Sequence, residues 1–491
     1  MNPERFNAFN LKRGISYLKR NGVKKTYYKA IERLKRDDDE AGYNESVMLT
    51  RPTIDELEEQ RKHGFFHNYK ISILVPAYNT EPAYLKDMID SVVRQTYQNW
   101  ELCIADGSDD DSVSLSVKEY REAADADTAS KIKYQRLNAN RGISGNSNGA
   151  LVMASGDYVC MLDHDDLLSP DALYEVMKVL ESGIERNGNI YSSRYRAVYS
   201  DEDKVNAGVT RYFDYHRKPD FDIDFLRSNN YICHLFVVKT SVAVKSGGFR
   251  SEYNGAQDHD FIFRCIEQLD PSEIYHIPKV LYHWRSHLSS TAENPDSKLY
   301  AYEAGKRAVR DHLKRLNIEA EVTDTAHLGY YRVRYAPGNE SIKMLSPSEW
   351  EQLTKLDLDE MEEDFIMVLS QDLKPVSKDY LEELAGVLKR KEVGAVGGKI
   401  YDSRGRIESA GYSYDESGNL IPDHRGMNGN FSGYLHRASV QHKTDGLSKD
   451  CMMIKKDAIV FSDRATMSEK YITVYDPFAE FKRKRIVIRD R

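Results

Sequence analysis

A short apolar run that ends in a cluster of acids constrains the fold of this chain more than any other feature. Residues 159–162 (Val-Cys-Met-Leu) have the character of a buried strand, and residues 163–166 (Asp-His-Asp-Asp) follow at once. Such a run is typical of a parallel strand covered on both faces, and open α/β sheets bind ligands beyond the carboxyl ends of these strands. Three adjacent carboxylates repel one another and require a proton or a divalent cation. An acidic turn before a helix with Ser169 as N-cap and Pro170 at its first position fits these residues equally well.

Length and composition limit the class of protein. A chain of 491 residues is too long for one typical core, so we expect two domains and an appendage. The net charge of −8 and the pI near 6.0 argue against a nucleic-acid-binding protein. Five cysteines without a Cys-X-X-Cys pair indicate reduced thiols in a cytoplasmic protein, not a disulfide framework or a zinc site. No run approaches the roughly 18 apolar residues of a membrane span, so we expect a soluble or peripheral protein.

The region 1–68 has a different character from the rest of the chain. Over residues 11–36, apolar residues recur at roughly helical spacing among many lysines and arginines. Such a basic amphipathic helix can lie on an anionic bilayer, or pack on the protein with its basic face in water, and the sequence does not separate the two. Residues 481–489 at the C-terminus again mix basic and apolar residues, as a second membrane contact or a solvated tail.

From residue 69 onward, strands and helices alternate. The patterns predict strands at 71–76, 100–105 and 133–137, with a helix at 85–96 between the first two. A βαβ unit places the carboxyl ends of its two strands side by side. We therefore expect one crevice lined by the residues that end or follow these two strands, namely Pro76, Tyr78, Asn79 and Asp106.

The next segment adds a third wall to this crevice. Residues 138–146 are rich in glycine and asparagine and precede a predicted helix at 147–154, and Arg141 within them carries a planar guanidinium suited to phosphate. An ordinary loop explains the same composition. Neither a Gly-X-Gly-X-X-Gly nor a P-loop motif occurs between the strands, which counts against a dinucleotide fold and a P-loop enzyme.

Four motifs occur in order along this part of the chain. They are Val-Pro-Ala-Tyr-Asn at 75–79, Asp-Gly-Ser-Asp at 106–109, Asn-Arg-Gly at 140–142 and Leu-Asp-His-Asp-Asp at 162–166. Together they resemble the nucleotide-binding half of the family 2 glycosyltransferases, inverting enzymes of the GT-A fold, over about residues 70–335. The resemblance implies that Asp106 holds the base of a nucleotide-sugar. It also implies that Asp163 and Asp165 bind the Mg²⁺ or Mn²⁺ that neutralises the diphosphate, with Asp165 nearer the metal and Asp163 nearer the sugar or ribose.

The second half of this domain is expected to supply the acceptor site and the base. Asp201 lies at the end of a predicted strand and His234 within an apolar run. Similar stretches occur in bacterial rhamnosyltransferases of the family, although a surface acid and a core histidine explain them equally well. The family commonly has Glu-Asp where this chain has Gln257 and Asp258, and that aspartate is the usual general base. The resemblance therefore implies that Asp258 deprotonates the acceptor hydroxyl, with Gln257 on the acceptor side.

Residues 281–287 resemble the tract that folds over the diphosphate in this family. Arg285 could pair with phosphate through two hydrogen bonds, and His283 or His287 could complete the metal shell, although such histidines are as often structural. The Gln-X-X-Arg-Trp motif of the family's polymerases does not occur here, which disfavours a processive enzyme.

The chain changes character again after residue 335. Residues 341–363 are acidic and loosely patterned, which predicts a linker. Residues 364–372 then imitate the acidic strand and 373–388 the helix after it, with Ser-Gln-Asp at 370–372 in place of Asp-His-Asp. This segment resembles the second module of two-module rhamnosyltransferases without its first, nucleotide-binding half. We predict a truncated, non-catalytic domain that serves acceptor binding, docking or self-association into a homo-oligomer.

These observations predict three regions. They are an N-terminal basic helical region (1–68), an α/β domain of the GT-A fold, a Rossmann-like mixed sheet with helices on both faces (69–335), and a linker with a degenerate GT-A-like domain (336–491). The predicted function is metal-dependent transfer of a sugar, from dTDP-L-rhamnose or a UDP-sugar, to a lipid-linked glycan of a bacterial surface polysaccharide at the inner face of the membrane. A catalytically inactive glycan-binding scaffold and a glycoside hydrolase with paired carboxylates are the alternatives.

Overall fold

The computed structural model describes residues 51–187, 190–286, 299–461 and 464–485, together with single residues between 15 and 50. Backbone contacts divide the chain into two compact units. The N-terminal unit consists of Leu34–Phe221 and Asn230–His312, and the C-terminal unit includes Asp222–Asn229 and Leu313–Arg491. The predicted boundary after residue 335 therefore lies inside the C-terminal unit.

The elements up to residue 315 alternate between strands and helices over the first half of this stretch. In chain order they are α1 (Ile54–Lys62), β1 (Ile71–Ala77), α2 (Pro82–Val93), β2 (Trp100–Asp106), α3 (Ser112–Ala123), α4 (Ala126–Lys131), β3 (Ile132–Arg136), α5 (Gly142–Met153), β4 (Tyr158–Met161), β5 (Leu167–Leu168), α6 (Ala172–Ser182), β6 (Ile184–Asn187), β7 (Ile190–Ser193), β8 (Ala197–Asn206), β9 (Tyr212–His216), α7 (Ile223–Ser228), β10 (Phe236–Lys239), α8 (Thr240–Lys245), α9 (Gln257–Ile266), β11 (Ile274–Ser286) and α10 (Leu299–Arg315).

One mixed sheet organises the N-terminal unit. Its strand order is β3-β2-β1-β4-β10-β8-β11-β5, with β9 paired to β8. Strands β3, β2, β1 and β4 are parallel, so their carboxyl ends meet at one edge. Every residue of β1 and β2 is buried, which agrees with their apolar, β-branched composition and with a sheet covered on both faces. Helix α2 supplies part of that cover through Leu85, Met88, Ile89 and Val92, spaced as on one helical face. The predicted fold class, a mixed α/β sheet of the GT-A type, is confirmed.

The helix after the acidic segment begins later than predicted. Residues Leu167–Leu168 form the short strand β5, which pairs with β11, and α6 begins at Ala172 with Asp171 as N-cap. Ser169 lies before the helix, where its N–H donates to the carbonyl of Leu281 on β11 and its hydroxyl donates to Asp171. The acidic segment is therefore held between two strands, not at the start of a helix.

The glycine- and asparagine-rich segment also differs from its prediction as a loop. Helix α5 begins at Gly142, so the second half of residues 138–146 is helical and Arg141 is its N-cap. Gly142 has a φ of +70°, which lets the chain turn into the helix at that point. This places the start of α5 beside the end of β1, where Asn146 donates to the carbonyl of Ala77.

The C-terminal unit contains a second mixed sheet. Its elements are β12 (Ala320–Asp324), β13 (Tyr331–Tyr335), β14 (Ile342–Leu345), α11 (Pro347–Gln352), α12 (Lys355–Glu360), β15 (Phe365–Leu369), β16 (Leu373–Pro375), α13 (Tyr380–Leu388), β17 (Val393–Tyr401), β18 (Ile407–Ser409), β19 (Tyr412–Tyr414), β20 (Leu420–Pro422), β21 (His442–Lys443), β22 (Cys451–Lys455), β23 (Ile459–Phe461), β24 (Ala465–Met467) and β25 (Ile472–Arg483).

The two sheets share one topology. The order β14-β15-β22-β17-β25-β16 reproduces β1-β4-β10-β8-β11-β5, and each pair of neighbours has the same parallel or antiparallel sense in both sheets. The expectation that nothing corresponds to the first half of the domain is therefore corrected in one respect, because β14 is the equivalent of β1. Between β14 and β15, where every residue is described, helices α11 and α12 stand in place of β2 and β3.

The predicted linker at 341–363 is therefore wrong. It contains β14, α11 and α12, and the two helices begin with reciprocal capping boxes, Ser346 with Glu349 and Thr354 with Asp357. Trp350 and Leu358 carry these helices into the core of the C-terminal unit. In the described ranges, no helix combines the length and the apolar character needed to cross a bilayer.

Candidate active site

The carboxyl ends of β1 and β2 are joined by side chains of the two following loops. The Tyr78 hydroxyl and the Asn79 Nδ2 both donate to the Asp109 carboxylate, at 2.9 and 2.8 Å, and the backbone N–H of Asn79 donates to Ser108. These hydrogen bonds lower the pKa of Asp109 and raise the pKa of Tyr78. Pro76 is buried within β1, so Tyr78 and Asn79 are the residues of this motif that reach the crevice.

Asp106, predicted to hold a nucleotide base, is fully buried at the end of β2. Its carboxylate accepts hydrogen bonds from Tyr134 at 2.7 Å, from Arg136 at 3.0 Å, and from the N–H and hydroxyl of Ser108 at 2.8 and 2.5 Å. These partners make Asp106 a support of the loop, which does not fit direct contact with a ligand. Asp109 is the accessible carboxylate at this position.

The acidic segment after β4 is fixed to its surroundings on both sides. The His164 Nδ1 lies 3.0 Å from the Thr80 hydroxyl, which ties the segment to the loop after β1. On the other side the buried Asp166 accepts from the Tyr282 hydroxyl and from the N–H of Arg285. Asp163 and Asp165 are only partly buried and lie between these two anchors.

The acidic segment interacts electrostatically with Asp258, the predicted base. Loss of hydration raises the pKa of Asp163, and the negative charges of Asp165 and Asp258 raise it further, while His234 acts in the opposite direction. The pKa of Asp166 is raised well above its usual range by burial and by Asp165 and Asp163. The contacts agree with this: His234 Nε2 lies 3.9 Å from Asp163 and 3.5 Å from the Cys233 Sγ, which donates to Asp258. Asp163 and Asp258 thus lie on either end of one short chain of contacts, with Asp165 two residues from Asp163.

Asp258 lies in the first turn of α9 and is held by the chain segment before β10. The Asn230 Nδ2 donates to Oδ2 of Asp258 at 2.8 Å, and the Cys233 Sγ donates to the same oxygen at 3.2 Å. Gln257, the other acceptor-side candidate on this helix, accepts from the N–H of Gly255 at 2.9 Å. The arrangement leaves a carboxylate in the first turn of α9, linked through Cys233 to His234.

His234 links the acidic segment to a buried acid on β8. Its Nε2 lies 3.9 Å from Asp163 and its Nδ1 lies 3.3 Å from Glu202, while the ring stacks on Tyr282 with the centroids 4.5 Å apart. Burial alone would lower the pKa of His234, but Cys233 and Glu202 raise it well above its usual range. Burial raises the pKa of Cys233 to about 12, so Cys233 is a neutral thiol at pH 7 and the anion facing the imidazole is Glu202.

Two predicted site residues have structural partners instead. The Arg285 guanidinium is fully buried and donates to the carbonyls of Asp165 and Ala207 and to the Asp87 carboxylate, so its predicted pairing with phosphate does not fit this structure. His283 is likewise occupied, because its Nδ1 lies 2.5 Å from Asp203.

Asp201 does not belong to the pocket. Its buried carboxylate accepts from the Tyr215 hydroxyl at 2.8 Å and from the N–H of Lys218 at 2.9 Å, and it lies 2.8 Å from the His276 Nε2. The neighbouring Glu202 faces His234 instead, because successive residues of a strand point to opposite faces. Asp201 is therefore occupied by structural partners, and Glu202 is the acid of this strand that lies beside His234.

Two further residues were predicted at the site, Arg141 and His287. Arg141 is exposed at the start of α5. His287 lies outside the described residues. Asn230, Cys233 and Glu202 had not been identified from the sequence, since only the fold brings them to Asp258 and His234. The signal available was the polar pair Asn229-Asn230 directly before an apolar strand.

The equivalent place in the C-terminal unit is filled by a salt-bridge cluster. Arg483 at the end of β25 pairs with Glu408 and with Asp450, which precedes β22. By topology, Asp450 stands where the segment containing His234 precedes β10. The hairpin β23–β24 follows β22, whereas α9 with Asp258 occupies that part of the N-terminal unit. The C-terminal unit thus has a strand equivalent to β4 without the residues that meet at its end in the N-terminal unit.

Comparison with known proteins identifies the family of part of the N-terminal unit. Residues 72–243 match the family model described as glycosyl transferase family 2. Uncharacterized protein y4gI of Sinorhizobium fredii is 30% identical over 82% of this chain and 50% of its own length. O-antigen biosynthesis protein RfbC of Myxococcus xanthus is 28% identical over 70% of this chain and 30% of its own length. This chain therefore spans half or less of the length of these curated relatives.

Among solved structures, S. aureus TarS 1–349 in complex with UDP-GlcNAc is 18% identical, covers 50% of this chain and 66% of its own, and has a TM-score of 0.39. Similarity at this level carries no conclusion about ligands. The family match spans β1 to β10 and includes Asp109, Asp163, Asp165 and His234, while Asp258 lies beyond it on α9. Residues 72–243 thus form a glycosyl transferase family 2 domain.

Proposed function

We propose that the N-terminal unit transfers a sugar, with inversion at the anomeric carbon, from a nucleotide-sugar to a glycan hydroxyl in polysaccharide biosynthesis. The observation that carries the proposal is the series of contacts from Asp163 through His234 and Cys233 to Asp258, at 3.9, 3.5 and 3.2 Å. A sugar hydroxyl is a poor nucleophile while protonated, and a carboxylate at the helix start is positioned to take its proton. Asp258 is that base, and the pocket between it and the acidic segment would hold the donor sugar.

The decisive experiment replaces the base without changing its shape. Asp258→Asn should lower turnover of nucleotide-sugar by roughly 10²- to 10⁴-fold, the usual contribution of a general base. Binding of nucleoside diphosphate, measured by calorimetry, should remain, because the amide keeps the packing. Asp127→Asn on α4, whose side chain is 73% exposed, is the matched control and should behave as wild type. Wild-type turnover in Asp258→Asn would remove Asp258 from this role.

We infer further that the pocket works with a divalent cation. The described residues contain no group of three histidines, cysteines or acids that could hold a metal alone. Mg²⁺, however, is commonly bound by one or two carboxylates together with substrate phosphates, and Asp165 with Asp163 fits that donor set. A bound Mg²⁺ or Mn²⁺ would offset the charge on the departing nucleoside diphosphate.

Chelation tests the cation requirement. We expect EDTA to abolish turnover and added Mn²⁺ or Mg²⁺ to restore it. We expect the affinity for nucleoside diphosphate to fall with chelation as well, which a calorimetric titration measures without any turnover. Nucleotide binding that is the same with and without metal would contradict this part of the proposal, and absence of any binding would favour the inactive scaffold.

The donor and acceptor are proposed from the relatives and the sequence. The likeness of the sequence to rhamnosyltransferases supports dTDP-L-rhamnose as donor and a lipid-linked glycan as acceptor, and the relative named for O-antigen biosynthesis supports a surface polysaccharide as product. A panel of dTDP-, UDP- and GDP-sugars assayed for metal-dependent turnover identifies the donor, and turnover confined to another sugar would exclude rhamnose. The basic residues of 11–36 support contact with anionic membranes. Co-flotation with phosphatidylglycerol vesicles that weakens with salt would support it, and no flotation would exclude it.

A further inference from the structure

One oxygen of Asp258 is held by two side chains of the same chain segment. Asn230 and Cys233 both donate to Oδ2, at 2.8 and 3.2 Å. Within the part of the chain that the structure describes, Oδ1 has no hydrogen bond. The two oxygens of the carboxylate are therefore unequal. Oδ2 is anchored by protein, and Oδ1 is available to another molecule.

The backbone at Cys233 adopts a conformation that a non-glycine residue rarely has. Its φ is +30°, in the left-handed region that side chains other than glycine enter at a cost. This conformation places Sγ 3.2 Å from Oδ2 of Asp258 and 3.5 Å from the His234 Nε2. A strained residue that persists at a pocket is a reason to look for a role of its side chain.

The thiol has a second neighbour, His234, whose own position is fixed. His234 stacks on Tyr282 and pairs with Glu202, so its ring cannot move away from Cys233 without breaking both contacts. Because the pKa of Cys233 is raised to about 12 by burial, the sulfur carries its proton at pH 7 and can donate it in a hydrogen bond. Asn230 is also a donor in this contact, through its amide nitrogen.

We propose that Asn230 and Cys233 are positioning residues for the general base. By fixing Oδ2 they prevent rotation of the carboxylate and turn Oδ1 toward the acceptor hydroxyl. This inference rests on the proposed role of Asp258 as base. Fixing a reacting group in its productive orientation raises kcat without changing how tightly the donor binds, which separates this role from substrate binding and from fold stability.

Four variants test the proposal through kinetics with the nucleotide-sugar that wild type turns over, dTDP-L-rhamnose being the first probe. Asn230→Ala and Cys233→Ala should each lower kcat about tenfold, since one hydrogen bond to a charged group is lost, and leave KM for the donor within about twofold. Cys233→Ser keeps a donor and should retain most of kcat. Cys233→Gly removes both the thiol and the φ strain, so it should melt at the wild-type temperature or above it and still be as slow as Cys233→Ala.

The results of this series distinguish a positioning role from a structural role of Cys233. A structural role for Cys233 would make kcat follow the melting temperature, with Cys233→Gly restored to wild-type turnover, and would overturn the proposal. Wild-type kcat in both Asn230→Ala and Cys233→Ala would also overturn it, while leaving the proposed function intact. Absence of turnover in the wild type with every nucleotide-sugar would instead overturn the proposed function and the base with it.

An infrared measurement tests the contact without turnover. The difference spectrum between wild type and Cys233→Ser isolates the S–H stretching band of Cys233 from those of the other four cysteines. Asp258→Ala removes the acceptor, so the band should move to higher frequency in that background. An S–H band at the same frequency in wild type and Asp258→Ala would show that the thiol does not donate to Asp258 and would overturn the role of Cys233.

Discussion

At the scale of single residues, Glu202 shows how a buried charge can be stable in this pocket. Its side chain is 8% exposed and is surrounded by cations and histidines, with Lys218 at 3.3 Å, His216 at 2.9 Å and His234 at 3.3 Å. Burial would raise the pKa of Glu202, yet Lys218 and the two histidines hold it well below its usual range. The carboxylate is therefore held in its charged form by its neighbours, and they lose their anion if it is removed.

The charge predicts how stability changes with pH. Because the folded pKa of Glu202 lies below the unfolded value, its charge stabilises the fold at pH above about 4.5, and this contribution is lost as pH falls through the folded value. Glu202→Gln leaves Lys218 buried without its anion, so we expect a loss of about 3 kcal/mol in the free energy of unfolding at pH 7. Urea unfolding measures it, and the difference from wild type should shrink at acid pH.

The control for this prediction is an exposed glutamate. Glu122 on α3 is 67% exposed and pairs only with Lys118, at 3.8 Å. Glu122→Gln should change the free energy of unfolding by less than about 0.5 kcal/mol. Equal effects of the two substitutions would mean that the Glu202 cluster contributes no more than a surface ion pair.

At the scale of elements, the spacing of apolar residues predicted those strands and helices whose positions depend only on burying one face. The predicted strands at 71–76 and 100–105 and the helix at 85–96 lie within two or three residues of β1, β2 and α2, because their apolar residues all face one core. The start of α6 could not be predicted, since it depends on a hydrogen bond from Ser169 to Leu281, far away in the chain. The same holds for Arg285, whose burial among Asp87, Ala207 and Asp165 is a property of the fold.

The start of α5 carries a prediction of its own. A Cβ at Gly145 would lie 2.3 Å from the Cβ of Arg141, so Gly145→Ala must displace this N-cap residue, which the sequence predicts as a partner of the donor's phosphates. We expect the variant to fold, with a stability loss of about 1–3 kcal/mol, and to bind nucleoside diphosphate more weakly by about tenfold in calorimetry. Gly64→Ala, where a Cβ meets nothing within 4 Å, should bind as wild type. Unchanged affinity in Gly145→Ala would exclude Arg141 from the donor site.

At the scale of the whole molecule, the chain contains the same sheet topology twice. The repeat was visible in the sequence as a second apolar strand within residues 364–372, a segment that ends in Ser-Gln-Asp. The strand β14 was not predicted, because its four residues, Ile342–Leu345, are too few to show a strand pattern within an acidic segment. None of the four is fully buried in the structure. Strand order depends on pairing between distant segments, and a single sequence carries little information about pairing.

The repeat leads to a comparison between matched positions. Asp165 in the N-terminal unit corresponds to Asp372 in the C-terminal unit, where α11 and α12 replace β2 and β3 and Arg483 fills the space beside Asp450. If the C-terminal unit is non-catalytic, as we propose, Asp372→Asn should leave kcat within about twofold of wild type, whereas Asp165→Asn should lower it at least about 100-fold because the donor's diphosphate loses its cation ligand. Steady-state kinetics on the two variants in parallel measure this. A comparable loss of kcat in Asp372→Asn would contradict a non-catalytic role for the C-terminal unit.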